Sequence, residues 1–343
     1  MLRGQRRLAA PLADLGLAAA ATNCVIPAKD KLLAALVAVI WGSNFVVIEE
    51  GLKGFPPFLL VAARFTFVVF PLILFLPRPG SWRTILLVGM TMGLGQFTLI
   101  YLALDLGMPA GLASLVIQVQ VMFTILISQV ALAERASRWQ MIGVVIGFGG
   151  LGMVIAGRGG NTPLLPLVLT LGGAMCWAVG SVITRHAHLV GGLALTAWSS
   201  ITIPLPALGI ALAINGPHAV AGAVVHASLL TIASIAYTVL ASSLVGYGVW
   251  NSLLARHPVS SVVPFTLLVP VAGLSTAWIV LGQVPSGPEA LGGMLLLAGV
   301  AIAILAPEVA RQGVSDAGPY PSCAPLGPEP SDYPRSQSPT LPL

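Results

Sequence analysis

Ten long apolar segments follow one another along this chain, and they restrict its fold more than any other feature of the sequence. An α-helix needs about 20 mostly apolar residues to cross a bilayer. The segments are too continuous for a membrane β-barrel, whose strands alternate polar and apolar residues over about ten positions. The sequence therefore predicts an all-α polytopic membrane protein with ten transmembrane helices, near 32–48, 55–77, 84–104, 109–132, 139–156, 164–185, 192–214, 228–254, 258–281 and 289–306.

The composition excludes several other classes of protein. Charged residues make up 8% of the 343 residues, whereas a soluble globular domain carries about 25%. That shortage excludes an ordinary soluble enzyme, and the hydrophobic content of 57% excludes a disordered chain. The net charge of +5 fits membrane topology better than a nucleic-acid surface. Cys24, Cys176 and Cys323 lack the spacing of a metal site, and no motif predicts a cofactor.

The basic residues predict the orientation of the helices. With the N-terminus inside, thirteen of the 16 Lys and Arg residues fall in the inner segments. Lys53 and Arg158 fall in outer segments, and Arg64 lies within a span. Inner loops carry the excess of Lys and Arg in membrane proteins, so both termini are predicted to lie inside.

An internal repeat divides the chain. AVIWGSNFVVI at 38–48 aligns with AMCWAVGSVIT at 174–184, which places Trp41 on Trp177 at an offset of 136. Beyond the longer 215–227 loop the offset becomes 149, and it aligns Pro109 with Pro258, Glu134 with Gln283, Gly143 with Gly292 and Gly150 with Gly299. The predicted repeats are 31–157 and 158–306. A cytoplasmic extension (1–30) precedes them, and a disordered, proline-rich tail (307–343) follows.

Five helices in each repeat have a consequence for both topology and function. Because five is odd, the second repeat enters the membrane from the opposite side, so the two repeats are inverted. Inverted repeats are typical of secondary transporters, which bind substrate near the bilayer midplane between the repeats. The sequence therefore favours a transporter over a duplicated scaffold without transport activity.

Arg64 is the one charged side chain deep inside a predicted span. It follows Pro56 by eight residues, which places it roughly 12 Å into an apolar layer about 30 Å thick. A charge at that depth costs at least about 2.5–3.5 kcal/mol on insertion scales. We expect Arg64 to face the cavity between the repeats and to anchor a substrate carboxylate. The alternatives are a clamp on helix carbonyls and an ion pair with Glu49 or Glu50.

Neutral polar and aromatic side chains within the spans complete the predicted substrate site. Ser243, Tyr247 and Asn251 are spaced by four residues and share a helix face, as do Trp41 and Asn44 at a spacing of three. Interhelical hydrogen bonding is the alternative role for each such residue. As a set they predict a moderately polar cavity for a small zwitterion, lined by Trp41, Asn44, Arg64, Gln96, Tyr101, Gln118, Trp177, Tyr247 and Asn251.

Five segments carry a resemblance to a known family: WGSNFVVIEEGL (41–52), ARF (63–65), GMPAGLASLVIQVQVMFTILI (107–127), GYGVW (246–250) and LLVPVAGL (267–274). They resemble the EamA-type transporters of the drug/metabolite transporter superfamily, and more narrowly the bacterial exporters of cysteine and O-acetylserine. The resemblance implies two inverted five-helix repeats and efflux of small metabolites across the bacterial inner (plasma) membrane. Gln283 departs from it, because the family usually has an acid there, whereas Glu134 keeps the acid in the first repeat.

Several rival functions find little support in the sequence. No catalytic dyad, metal motif or nucleotide-binding loop is present, so neither an intramembrane enzyme nor an ATP-driven pump is predicted. A channel would need a filter loop or a ring of charges. A broad-specificity drug exporter, or an exporter of other amino acids, is the closest alternative. The expected partners are the lipid bilayer and a small amino-acid-like substrate, and the sequence leaves a homodimer open.

The coupling mechanism is also left open. No Asp or Glu lies in the middle of a span, and the five histidines lie at span ends or in loops. The usual intramembrane proton relay is therefore not predicted, and exchange or downhill efflux is as compatible with the sequence as proton antiport.

Overall fold

The computed structural model describes residues 26–157, 164–187 and 192–305. All regular secondary structure in these ranges is helical, as predicted. The helices are α1 (Ala28–Leu52), α2 (Pro57–Ile73), α3 (Trp82–Asp105), α4 (Ala110–Ala131), α5 (Arg138–Gly157), α6 (Leu164–His186), α7 (Leu193–Asn215), α8 (Pro217–Val225), α9 (Leu229–Arg256), α10 (Val259–Leu281) and α11 (Gly287–Leu305). The predicted terminal extension and tail lie almost entirely outside the described residues.

Nine helices in the described ranges are long and apolar enough to cross a membrane, and the chain is therefore a multi-pass membrane protein. The sequence predicted ten spans. The predicted span that is not among these nine corresponds to α2, a shorter apolar helix that ends at Ile73 rather than near residue 77. A turn and the proline-rich sequence PRPG at 77–80 follow it, and a proline disfavours helical geometry at the residue before it.

The predicted 215–227 loop contains the short helix α8. Gly216 precedes it with φ of 79°, a conformation that favours glycine, and Pro217 occupies the first helical position. Pro217 has no backbone N–H to leave unbonded there, so the sequence GP both ends α7 and starts α8. The change in repeat offset from 136 to 149 predicted the insertion but not its helical form.

Several long helices change their winding along their length. α3 is a π-helix over Gly89–Gly95, and α9 is a π-helix over Tyr237–Gly246. Short 3₁₀ turns interrupt α4 at Ile117–Val119 and α10 at Val263–Leu267. Pro264 accounts for the break in α10, because a proline removes a backbone donor inside a helix. A π segment leaves backbone carbonyls free to bind side chains, and such segments often lie at functional sites.

Glycines allow α5 and α11 to cross in close contact. A Cβ atom on Gly143 would lie 2.6 Å from the carbonyl oxygen of Gly299, and one on Gly150 would lie 2.6 Å from that of Gly292. The two backbones therefore touch where any side chain would separate them. Because the lower residue number on α5 meets the higher one on α11, the two helices run antiparallel.

Two helices lie at the centre of the packing. α1 packs against α9 and α10, while α6 packs against α3 and α4. A Cβ atom on Gly42 of α1 would lie 2.4 Å from the carbonyl oxygen of Val269 on α10, so these backbones also touch. α2 packs against α7 and also reaches α3 and the π segment of α9. This last arrangement brings Arg64 of α2 to the polar part of α9.

Candidate functional site

Arg64 lies at the centre of a buried polar cluster between α2, α3 and α9. Its side chain is almost fully buried, with 1% of the residue exposed. Nε and Nη2 donate to Oγ of Ser243 at 3.2 and 3.0 Å, and Nη2 also lies 3.4 Å from Oγ of Ser242. Nη1 donates to the hydroxyl of Tyr101 at 3.1 Å. The guanidinium is therefore held by neutral hydroxyl groups on two other helices.

Two aromatic rings pack beside the guanidinium, toward the same side of it. Its central carbon lies 4.7 Å from the ring centroid of Phe97 on α3 and 5.2 Å from that of Phe65 on α2. The two phenylalanine rings meet edge to face at 4.9 Å. Cation–π contacts of this kind strengthen when they are desolvated, so the rings stabilise the buried charge in place of water.

No carboxylate in the described part of the chain pairs with Arg64. Glu49 instead accepts hydrogen bonds from Gln283 at 2.9 and 3.0 Å and from the backbone N–H of Ala110 at 3.1 Å. Glu50 pairs with Lys53 at 2.6 Å. The alternative of an ion pair between Arg64 and either glutamate is therefore wrong. A buried cation without a counterion retains a strong attraction for an anion.

The π segment of α9 supplies the groups that hold Arg64. Oγ of Ser243 donates to the carbonyl of Thr238 at 2.8 Å, five residues earlier. The carbonyl of Ser242 accepts from Nε1 of Trp41 on α1 at 3.0 Å. A Cβ atom on Gly246 would lie 2.6 Å from that nitrogen, so only glycine lets the indole approach. The π winding thus connects Trp41 and Arg64 through adjacent residues.

Four predicted site residues belong to one connected group. Arg64 bonds Tyr101 directly and shares the Ser242–Ser243 pair with Trp41. The indole of Trp41 packs against the ring of Tyr247, with centroids 5.3 Å apart. These contacts place predicted residues from α1, α2, α3 and α9 around one cluster.

The other five predicted residues form no hydrogen bond, ion pair or ring contact with this group in the described part of the chain. Gln118 donates to the carbonyl of Thr266 at 3.4 Å and so links α4 to α10. Asn251 and Trp177 are half-buried, and their side chains form no hydrogen bond to the described residues. Asn44 and Gln96 are buried, and each leaves its side-chain amide oxygen without a hydrogen-bond partner.

The sequence patterns did not indicate Ser242 or Phe97. Ser243 was a candidate polar side chain because it shares a helix face with Tyr247 and Asn251, but the predicted lining omitted it. That expectation assumed regular α-helical winding, whereas the π segment turns Ser243 and Ser242 together toward Arg64. A pair of adjacent serines in the middle of a long apolar span was the available signal.

Polar contacts also join helices at the two ends of the bundle. At the end where α4 begins, Glu49 of α1 binds Gln283, which follows α10. At the end where α4 finishes, Nη2 of Arg185 binds both carboxylate oxygens of Glu134 at 2.6 and 2.8 Å. Nη1 of Arg185 also donates to Oγ of Ser128 at 3.3 Å. The positions in each pair come from different predicted repeats.

A third polar contact joins the start of α1 to the end of α9. Oδ2 of Asp30 accepts a hydrogen bond from Nε2 of His257 at 2.7 Å. Arg256 lies 3.4 Å from the same carboxylate. α1 and α9 carry Trp41 and the serine pair, so this contact connects the same two helices at one end of the bundle.

The family model that matches this chain is described as the EamA-like transporter family, and it matches residues 30–156 and 164–305. A protein of Salmonella typhimurium named "Probable amino-acid metabolite efflux pump" is 37% identical, over 82% of this chain and 97% of the relative. The Escherichia coli K12 protein of the same name is 36% identical over 80% and 94%.

A third relative has a more specific name. It is the "Probable terminal-alkyne amino-acid exporter" of Streptantibioticus cattleyicolor, which is 31% identical over 77% of this chain and 90% of the relative. A protein of known crystal structure aligns with a TM-score of 0.56, covering 81% of this chain and 97% of that one. At 20% identity this last likeness concerns the fold alone.

Proposed function

Because this chain belongs to the EamA-like transporter family, we propose that it exports small amino-acid-like metabolites across the bacterial inner membrane. The names of three relatives, two amino-acid metabolite efflux pumps and one amino-acid exporter, support this substrate class. Cysteine and O-acetylserine are the first substrates to test, because the sequence resembles their exporters. The chain would cross the membrane ten times, α2 included, with both termini inside.

We propose that the ten spans form two inverted five-helix repeats. The π and 3₁₀ segments support a repeat, because the offset of 149 that aligns the two sequences also brings these irregular segments into register. Shifted by 149, the π-helix Gly89–Gly95 falls within the π-helix Tyr237–Gly246. The same shift moves the 3₁₀ turn Ile117–Val119 onto the end of the 3₁₀ turn Val263–Leu267. These two matching positions support a duplicated helical unit.

The crossing of α5 and α11 supports the inversion of the repeats. The offset aligns Gly143 with Gly292 and Gly150 with Gly299. Swapping each residue for its partner in the other repeat therefore turns the contact between Gly143 and Gly299 into the contact between Gly292 and Gly150. Two contacts related in this way lie around a two-fold axis. Because the two helices are antiparallel, the axis is perpendicular to them and lies in the membrane plane, as in other inverted transporters.

The observation that best supports an amino-acid-like substrate is that Arg64 is buried and has no carboxylate partner among the described residues. Its guanidinium has hydroxyl partners and no carboxylate partner in the described residues. An arginine presents paired N–H groups that match the two oxygens of a carboxylate. We propose that the carboxylate of an amino-acid-like substrate binds here. Asn44 and Gln96, whose amide oxygens are unbonded, would accept from the substrate ammonium group as α1 and α3 rearrange.

The burial of Arg64 implies that access to the site changes during transport. With 1% of the residue exposed, the guanidinium is reached by substrate only when α9 separates from α2 or α3. We propose alternating access, in which the two repeats move against each other and open the cluster to one side at a time. A channel would instead keep a continuous path through the protein.

Counterflow in proteoliposomes tests this function. Vesicles are loaded with unlabelled cysteine, O-acetyl-L-serine or other amino acids, and uptake of labelled O-acetyl-L-serine is followed. Saturable uptake that depends on the loaded compound is expected. Uptake without trans-stimulation would instead indicate a channel, and no uptake by folded protein would direct attention to hydrophobic drugs.

Arg64 variants connect the transport assay to the site. Arg64→Ala should abolish counterflow, and Arg64→Lys should retain little of it because lysine lacks the paired N–H groups. Arg83→Ala is the matched control, since Arg83 is exposed at the start of α3. Normal transport by a folded Arg64→Ala variant would refute the carboxylate site.

A further inference from the structure

Ser243 occupies the edge of Arg64 that a carboxylate would bind. Its hydroxyl oxygen accepts from both Nε at 3.2 Å and Nη2 at 3.0 Å. These two nitrogens form one of the paired edges of the guanidinium that bind carboxylates in a bidentate manner. Ser243 therefore substitutes for an anion with a single neutral oxygen.

All the hydrogen-bonding capacity of this hydroxyl is used. A serine hydroxyl has one donor and two acceptor sites. Oγ of Ser243 accepts two bonds from Arg64 and donates its proton to the carbonyl of Thr238 at 2.8 Å. Ser243 and Thr238 are both at least 98% buried. The hydroxyl is thus a fully bonded link between Arg64 and the π segment of α9.

We propose that Ser243 is an internal competitor of the substrate, a positioning residue that holds Arg64 until a carboxylate displaces it. This proposal rests on the proposed function and deepens it. A carboxylate offers two charged acceptors where Ser243 offers one neutral oxygen, so it binds this edge more strongly. Displacement frees Ser243 from α2, and its bond to Thr238 means that the change begins in the π segment of α9.

The proposal also gives the adjacent Trp41 a role in specificity. Its indole bonds the carbonyl of Ser242, the residue next to Ser243. When Ser243 leaves Arg64, the backbone that Trp41 binds shifts with it. A substrate without a carboxylate cannot displace Ser243, so it leaves α1, α2 and α9 connected. Ser243 therefore makes release of this connection depend on a carboxylate at Arg64, although it weakens carboxylate binding itself.

The test compares Ser243→Ala with the unmodified protein in the counterflow assay with labelled O-acetyl-L-serine. Loss of the competing hydroxyl should lower the half-saturation concentration about tenfold, a change that corresponds to about 1.4 kcal/mol. The thermal midpoint without substrate should fall, and O-acetyl-L-serine should raise it more than in the unmodified protein. Ser243→Thr keeps the hydroxyl and should restore the original half-saturation concentration.

Two controls separate competition from general destabilisation. Ser200→Ala removes a hydroxyl that is equally buried but bonds a carbonyl of its own helix, at Thr196, and it should leave the half-saturation concentration unchanged. The methyl ester of O-acetyl-L-serine, which lacks a carboxylate, should inhibit Ser243→Ala and the unmodified protein equally.

A second variant keeps the proposal testable if Ser243→Ala does not fold. Ser243→Asp supplies a permanent carboxylate to Arg64, so it should fold and lose at least nine-tenths of the counterflow. An unchanged or higher half-saturation concentration in folded Ser243→Ala would overturn the proposal, as would full transport by Ser243→Asp. If the unmodified protein still shows trans-stimulated uptake, either result overturns only the role of Ser243 and the proposed function stands. If the unmodified protein shows no trans-stimulated uptake, the proposed function itself is refuted.

Discussion

The side-chain amide of Gln283 donates to both carboxylate oxygens of Glu49, at 2.9 and 3.0 Å. The same carboxylate accepts from the backbone N–H of Ala110, the first residue of α4, while Oε1 of Gln283 lies 3.5 Å from the N–H of Gly111. The pair therefore caps the start of α4 and ties it to the ends of α1 and α10. An amide suits this place because it donates to Glu49, which an ionised acid cannot do.

Gln283→Glu should weaken this contact at neutral pH. Two adjacent carboxylates repel each other, and Glu49 loses its side-chain donor, so the free energy of unfolding should fall by about 1–3 kcal/mol. Thermal unfolding in detergent at pH 8 measures the difference between the variant and the unmodified protein.

A matched control for this substitution lies in the first turn of α5. Gln140 accepts from the backbone N–H of Ser137 through Oε1 at 2.9 Å, so Gln140→Glu adds the same charge where a carboxylate accepts equally well. Gln140→Glu should leave stability unchanged. Equal effects of the two substitutions would show that net charge, not the Glu49 contact, is responsible.

Arg185 and Glu134 form the corresponding contact at the other end of the bundle, since the two offsets align Glu49 with Arg185 and Gln283 with Glu134. Their side chains are 46% and 32% exposed, which limits the contribution of the pair to about 1 kcal/mol or less. A double-mutant cycle with Glu134→Gln and Arg185→Gln should give a coupling energy in that range. The coupling should decrease in 1 M NaCl, and a value independent of salt would exclude an ion pair.

Gly246→Ala should disrupt the contact between α1 and the π segment of α9. The new Cβ atom would lie 2.6 Å from Nε1 of Trp41 and force the indole off the carbonyl of Ser242. We expect a loss of about 1–3 kcal/mol in unfolding free energy and a fall in counterflow. Gly248→Ala is the matched control, because its Cβ atom meets nothing within 4 Å. Equal tolerance of both substitutions would contradict the close approach of Trp41.

Gly150→Ala should separate α5 from α11. Its Cβ atom would lie 2.4 Å from the backbone nitrogen of Leu296 and 2.6 Å from the carbonyl of Gly292, and backbone cannot move aside as a side chain can. The neighbouring Gly149→Ala meets nothing within 4 Å and should be neutral or slightly stabilising. The thermal midpoints of the two variants test this contact. Equal midpoints for Gly150→Ala and Gly149→Ala would show that the backbones of α5 and α11 do not touch at Gly150.

Hydropathy predicted the helical architecture well because a bilayer imposes length and composition on every span. It failed for the end of α2 and for α8, where local proline and glycine geometry sets the helix ends. The cost of a buried charge drew attention to Arg64, which the structure shows to be buried, and its role in substrate binding remains a prediction. That cost did not identify the groups that bond Arg64, because a hydroxyl on any neighbouring helix can accept a hydrogen bond from a buried arginine.

The sequence by itself determined the membrane class, the helices and the position of one buried cation, because these depend on composition and spacing within a segment. The tertiary structure alone decided that Arg64 meets Ser243 and not Glu49, and that Glu49 meets Gln283. Those contacts join positions more than 170 residues apart in the chain. They depend on the π winding of α9 and on how the helices cross, and neither follows from the periodicity of a single helix.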